Sequence, residues 1–111
     1  MFKINSNNCI FLTRGDSATL NVDVSNADGT AYTPTGTVKL YFSVKKSVND
    51  TNYVLQKIIT DLSESISITP SDTTALDCGN YQYDVEMHDG EKVYTIIPPT
   101  QFTLGTEVTQ E

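Results

Sequence analysis

Apolar side chains recur at every second position along most of this chain. In "ATLNVDV", Ala18, Leu20, Val22 and Val24 share one face and Thr19, Asn21 and Asp23 the other. "TVKLYFSVKK" sets Val38, Leu40, Phe42 and Val44 against Lys39, Tyr41, Ser43 and Lys45. "SISIT" alternates Ile66 and Ile68 with Ser65 and Ser67, and "YQYDVEM" alternates Tyr81, Tyr83, Val85 and Met87 with Gln82, Asp84 and Glu86. An extended backbone sends successive side chains to opposite faces, so this period marks half-buried antiparallel strands. No segment repeats apolar residues at helical spacing over three turns, and "SDTTALD" suffices for one short helical turn only.

Gly, Pro, Asn and Asp punctuate the alternation in "SNADGTAYTPTG", "SVNDTN" and "HDGE", the last with the Asp-Gly of a tight hairpin. Seven runs result: residues 9–13, 18–25, 36–46, 52–60, 63–69, 80–88 and 92–104. Proline cannot donate within a central ladder, so "IPPT" is expected to break the seventh. Short strands with turns about every ten residues predict an all-β fold, a two-sheet immunoglobulin-like β-sandwich of about seven strands. Its interior is expected to hold Leu20, Val22, Leu40, Phe42, Ile66, Tyr83, Val85 and Phe102. With 111 residues the chain suits a single domain over 1–111.

"DCGNYQY" places Asp77, Gly79 and Tyr81 at the D-x-G-x-Y spacing that opens the sixth strand of immunoglobulin-like domains. There the Tyr hydroxyl bonds back to nearby backbone. Tyr83 stands where antibody domains carry their second cysteine, and the third run has no Trp. Leu40, Phe42, Tyr83 and Val85 must therefore fill the volume of the missing disulfide and indole. Cys9 and Cys78 are too few and too far apart for a disulfide framework and lack metal-site spacing, so both are expected as free thiols.

Taken together, "FLTRGDSATLNVDV", "DGTAYTPTGTVKLYFSVKKS", "SITPSDTTALDCGNYQYDVEM" and "GEKVYTIIPPTQFTLGTEVT" resemble the immunoglobulin-like domains of tailed-phage virion proteins. The nearest group is the N-terminal domain of the upper baseplate proteins of phages that infect Gram-positive bacteria. The resemblance runs from about residue 11 to residue 109 and lies in the order and spacing of the pieces. It implies an architectural tail or baseplate module in a phage or prophage virion, joined to other virion proteins or to copies of itself. It also implies synthesis in the bacterial cytoplasm. The first residues, with a four-residue apolar run at 9–12, supply no signal-peptide core and no membrane span. Larger members of the group continue beyond this domain into segments that meet the host, so direct host recognition is not expected of this chain.

The residue inventory argues against an enzyme. His88 is the only histidine, and a plain flank of the hairpin turn is its expected role. Asp84 and Glu86 point the same way and could in principle act as a glycosidase pair, but a solvated face paired across strands with Lys39 and Lys45 is the expected arrangement. Asp23, Asp28, Asp61, Asp72 and Asp77 match no calcium loop. No phosphate-binding loop or nucleophile elbow is present, and no cofactor is expected. Net charge is −7, and Lys45-Lys46 is the only basic pair, so neither nucleic acid nor an anionic membrane is an expected partner. Two functional classes remain. One is an assembly module, and the other is a surface module that grips a glycan or a host-surface protein. Tyr32, Tyr41, Tyr53 and Tyr94 are candidate exposed anchors for either. "TRGDS" spells an adhesion tripeptide. Gly15 and Asp16 suit a turn between strands instead, with Gly15 at positive φ, Asp16 and Ser17 bonding turn amides, and Arg14 exposed.

Overall fold

Residues 1–106 are described by the computed structural model of the chain. The last piece of the resemblance, at 107–109, lies outside them. The alternating runs become strands, in the order β1 (Phe2–Ile4), β2 (Ile10–Thr13), β3 (Ala18–Leu20), β4 (Val38–Lys45), β5 (Leu55–Ile59), β6 (Ile66–Ile68), β7 (Gly79–Asp89) and β8 (Lys92–Gly105). One helical turn, α1 (Pro70–Thr73), precedes β7. Pro70 opens it, because its missing N–H is not needed there, and the Asp72 carboxylate accepts from the Thr69 amide at 2.7 Å.

Six strands form one sheet in the order β1-β2-β8-β7-β4-β5, and β3 and β6 form a second. Every pairing is antiparallel except that of β2 with β8. One apolar cluster joins the two sheets: Leu20, Ile66 and Ile68 from the small sheet pack with Ile10, Leu12, Leu40, Phe42, Val85, Phe102 and Leu104 from the large one. At its centre Tyr83 lies 5.3 Å from Phe42 and 6.3 Å from Phe102, ring centroid to ring centroid, in tilted and edge-on geometry. Leu40, Phe42, Tyr83 and Val85 are all buried, as expected of core residues. The Tyr83 hydroxyl donates to the carbonyl of Asn8, whose backbone is left-handed (φ 65°). Burial, with the Cys9 thiol as a lesser cause, pushes this phenol up to about 12.

Four expectations need correction. First, β1 is a strand the alternation does not announce. Three residues carry too little pattern, and β1 exists because β2 offers it an edge, with Phe2 opposite Leu12. Second, the run 18–25 pairs with β6 only as far as Leu20, opposite Ile66, because β6 begins there. Beyond it the chain turns through Asn26–Thr30, and Val22 is half-buried rather than inside. Third, Pro98 and Pro99 do not break the last strand. β8 pairs with β2 only from Phe102 onward, so the prolines sit where one side of β8 is open, and the register against β7 shifts between Tyr83 and Val85 to absorb them. Fourth, Arg14 is half-buried, and its guanidinium donates to the Leu76 carbonyl at 3.4 Å.

Candidate functional site

The same alternation that fills the core places a second set of side chains on the outer face of the large sheet. From β7 these are Gln82, Asp84, Glu86 and His88, and from β4 Tyr41, Ser43 and Lys45. With Gln56 of β5, Val48 and Tyr53 of the β4–β5 loop, and Pro99 of β8, they line a cleft of about 430 Å³. That is a normal size for a ligand site, although its lining is richer in polar and charged side chains than such sites usually are. Tyr41 and Tyr53 are the tyrosines that meet here, Tyr53 being 52% exposed and Tyr41 half-buried.

The charges are not arranged as cross-strand ion pairs. Lys39 stands opposite His88, Tyr41 opposite Glu86, Ser43 opposite Asp84 and Lys45 opposite Gln82, so each lysine is diagonal to a carboxylate. Among the described residues neither lysine makes an ion pair with Asp84 or Glu86. Glu86 instead bonds His88 Nε2 at 2.6 Å on its own strand, and the imidazole lies 4.7 Å from the Tyr41 ring in tilted geometry. His88, the penultimate residue of β7, flanks the hairpin as expected and also stands in the cleft wall. The Lys45 ammonium lies 5.1 Å from the centre of the Tyr53 ring, within cation–π range. Ser43 accepts from the Gln56 amide at 3.0 Å. No described donor bonds the Asp84 carboxylate. Burial and then the Glu86 charge push it above the usual carboxylate range, with Lys45 pulling the other way.

The predicted corner lies at the other end of β7. Tyr81 is buried, and its hydroxyl donates to the Asp77 carbonyl at 2.6 Å. Gly79 has φ +148°, a conformation an L side chain rarely adopts, which is why this spacing needs glycine. Burial pushes the Tyr81 phenol up, as do the nearby Asp77 and Cys78 groups, and the Lys46 ammonium caps its ring at 4.6 Å. Cys9 and Cys78 are unbridged, and the Cys78 thiol reaches the Gly105 carbonyl at 3.3 Å.

"TRGDS" turns the chain from β2 into β3. Gly15 is at φ +85°, and its amide donates to Thr73 Oγ1 at 2.8 Å, tying the turn to α1. The Asp16 amide donates to the Thr13 carbonyl at 3.1 Å, and the Asp16 carboxylate takes the Met1 amino group.

Tyr32 and Tyr94 meet each other, at 6.0 Å between ring centres, beside the β7–β8 hairpin and away from the cleft. Tyr94 is exposed. Tyr32 is not a free anchor, because it is half-buried and its hydroxyl donates to Asp89. Asp89 is the residue that sequence reasoning missed. It is 2% exposed and also accepts from the Thr35 amide at 2.9 Å, the Thr35 hydroxyl at 3.3 Å and the Gly36 amide at 2.7 Å. The Tyr32 bond first, then the Thr35 amide, hold its carboxyl below the usual range against burial, and Asp89 in turn pushes the Tyr32 phenol up to about 12. The signal was present: Asp89 continues the inward phase of Tyr81, Tyr83, Val85 and Met87, although "HDGE" reads first as a turn.

Among the described residues no group of three or more His, Cys, Asp or Glu is placed to hold a metal ion, and no helix is long and apolar enough to cross a membrane. Compared with known proteins, the chain matches no family model, no curated protein and no solved structure.

Proposed function

We propose that this chain is an immunoglobulin-like module of a phage or prophage virion, part of the tail or baseplate, that works by protein–protein assembly and performs no catalysis. Strand order supports the immunoglobulin-like part. The run β8-β7-β4-β5 opposite the pair β3-β6 follows the order such a sandwich uses, and the Tyr81 corner sits where that fold keeps its tyrosine. The sequence resemblance supports the virion part.

The observation that carries assembly is the set of large apolar side chains left in water. Ile4, Phe11, Val48, Tyr53, Ile58, Val93 and Tyr94 are each 40% to 55% exposed. Single exposed apolar residues are common, but seven spread over one sheet's outer face, edge and hairpin tip in a chain this size favour burial against another protein. The test is co-expression with the products of the genes that flank this one, followed by size-exclusion chromatography with light scattering. A stoichiometric complex or a closed ring is expected, and antibodies against the chain should mark the tail in electron micrographs of virions. A monomer at high concentration that joins none of these products overturns the reading.

A further inference from the structure

We infer that the outer cleft is a receptor for one cationic side chain, an arginine or lysine, carried by an extended segment of a partner protein. The inference rests on the assembly reading and names the chemistry of the contact. Three features of the cleft point to a cation. Asp84 is half-buried in the cleft wall, and no described donor bonds its carboxylate, so an incoming guanidinium or ammonium would meet an acceptor that no described side chain engages. Tyr41 and Tyr53 stand as walls, and aromatic faces beside carboxylates are a recurrent way to hold a positive group. The chain's own Lys45 already places its ammonium over the Tyr53 ring while attracting Asp84, which marks where a positive charge rests.

Two further features point to a polypeptide as the carrier. Val48, Tyr53 and Ile58 leave apolar surface around the cleft, Ile58 being the direct neighbour of Tyr41 across the ladder, and the backbone flanking a partner's side chain would cover it. β5, which contributes Gln56 to the cleft, is the last strand of its sheet, and among the described residues no strand pairs with its outer edge, which leaves it to main-chain pairing. The net charge of −7 draws such a segment from a distance.

The test is an amide-resolved NMR titration of the full chain with Nα-acetyl-arginine amide. Nα-acetyl-citrulline amide serves as the uncharged isostere and N-acetylglucosamine as the sugar arm. The arginine probe should shift Tyr41, Tyr53, Asp84 and Glu86, and citrulline should bind about tenfold more weakly, as loss of a charge-assisted bond implies. Asp84→Asn should weaken arginine binding by a similar, roughly tenfold factor. Lys45→Met should strengthen it roughly two- to fivefold, because the competing ammonium has gone from Tyr53. Equal binding of citrulline, preferential binding of the sugar, shifts confined to other surfaces, or weaker binding in Lys45→Met overturns the inference. If arginine fails while the chain still forms its complex with a neighbouring product, the cleft inference falls and assembly stands. If no complex forms with any neighbouring product, the assembly reading and the protein carrier fall together.

Discussion

The two faces of the six-stranded sheet are made from the same strands, one residue in turn to each, and they obey different physics. Along β7 the inward set Tyr81, Tyr83, Val85, Met87 and Asp89 is between 0% and 3% exposed. The outward set Gln82, Asp84, Glu86 and His88 is half-buried, and among the described residues no other sheet packs over it. Inward, every polar atom is either absent or tied: Tyr81 to Asp77, Tyr83 to Asn8, Asp89 to Tyr32, Thr35 and Gly36. Outward, Asp84 is left without a described donor. The contrast teaches that burial decides the inner face, where unmet bonds are costly, and leaves the outer face free to keep polar and charged groups that folding does not require to be paired.

The largest expected effect comes from breaking the inner face at its centre. Phe42→Ala removes a fully buried ring from the Tyr83–Phe102 cluster and should cost roughly 3–5 kcal/mol in urea unfolding, through lost transfer and a cavity. Asp89→Ala should follow. It strips the acceptor from the Tyr32 hydroxyl and two loop amides, and hydrogen exchange should speed up at Thr35 and Gly36. Its pH dependence has a definite sign. The Asp89 carboxyl sits lower in the folded than in the unfolded chain, so its stabilisation is complete above about pH 4 and is lost as pH falls through the depressed folded value. The gap between parent and variant should narrow in acid.

Tyr81→Phe should cost about 1 kcal/mol, since it removes one bond and leaves the ring and its Lys46 contact in place. The smallest stability effects should come from the outer face. Asp84→Asn is expected to be neutral or slightly stabilising at pH 7. This carboxyl is raised in the fold, so the parent's relative stability is full below the ordinary carboxylate range and declines as pH rises through the raised value, and the amide escapes that decline. Thermal melts of the two proteins should therefore converge in acid and separate, with the variant on top, towards neutrality. Ile58→Ser should likewise leave unfolding nearly unchanged while weakening the proposed complex in light scattering. A large loss of stability in either would erase the distinction between the faces.

Where a local rule governed, the sequence could be read directly. The inward phase of β4, β6 and β7, the corner at Asp77-x-Gly79-x-Tyr81 and the positive φ of Gly15 each follow from a period or a backbone preference carried by a few adjacent residues. The cleft was legible only in part. Asp84, Glu86 and Tyr41 were visibly outward, but the expected lysine–carboxylate pairs required a register that alternation does not set, and the observed register places each lysine diagonal to its carboxylate. The four tyrosines looked alike as residues and separated only when the chain folded, Tyr41 and Tyr53 into the cleft and Tyr32 and Tyr94 to the hairpin.

The sequence by itself determined an all-β chain, which residues face inward along its long strands, and where the chain must turn, because side-chain period and φ preference are properties of neighbours. Only the tertiary structure decided that three N-terminal residues become a strand, that two prolines can ride in β8 beside an open edge, and that the inward Asp89 bonds the loop at Thr35 and Gly36. It also set Lys45 over Tyr53 and left Asp84 without a described donor. Each of these depends on which strand lies alongside which, and at what offset. Strand pairing and register are settled by long-range hydrogen bonds and by burial of the whole core, which no short stretch of sequence encodes.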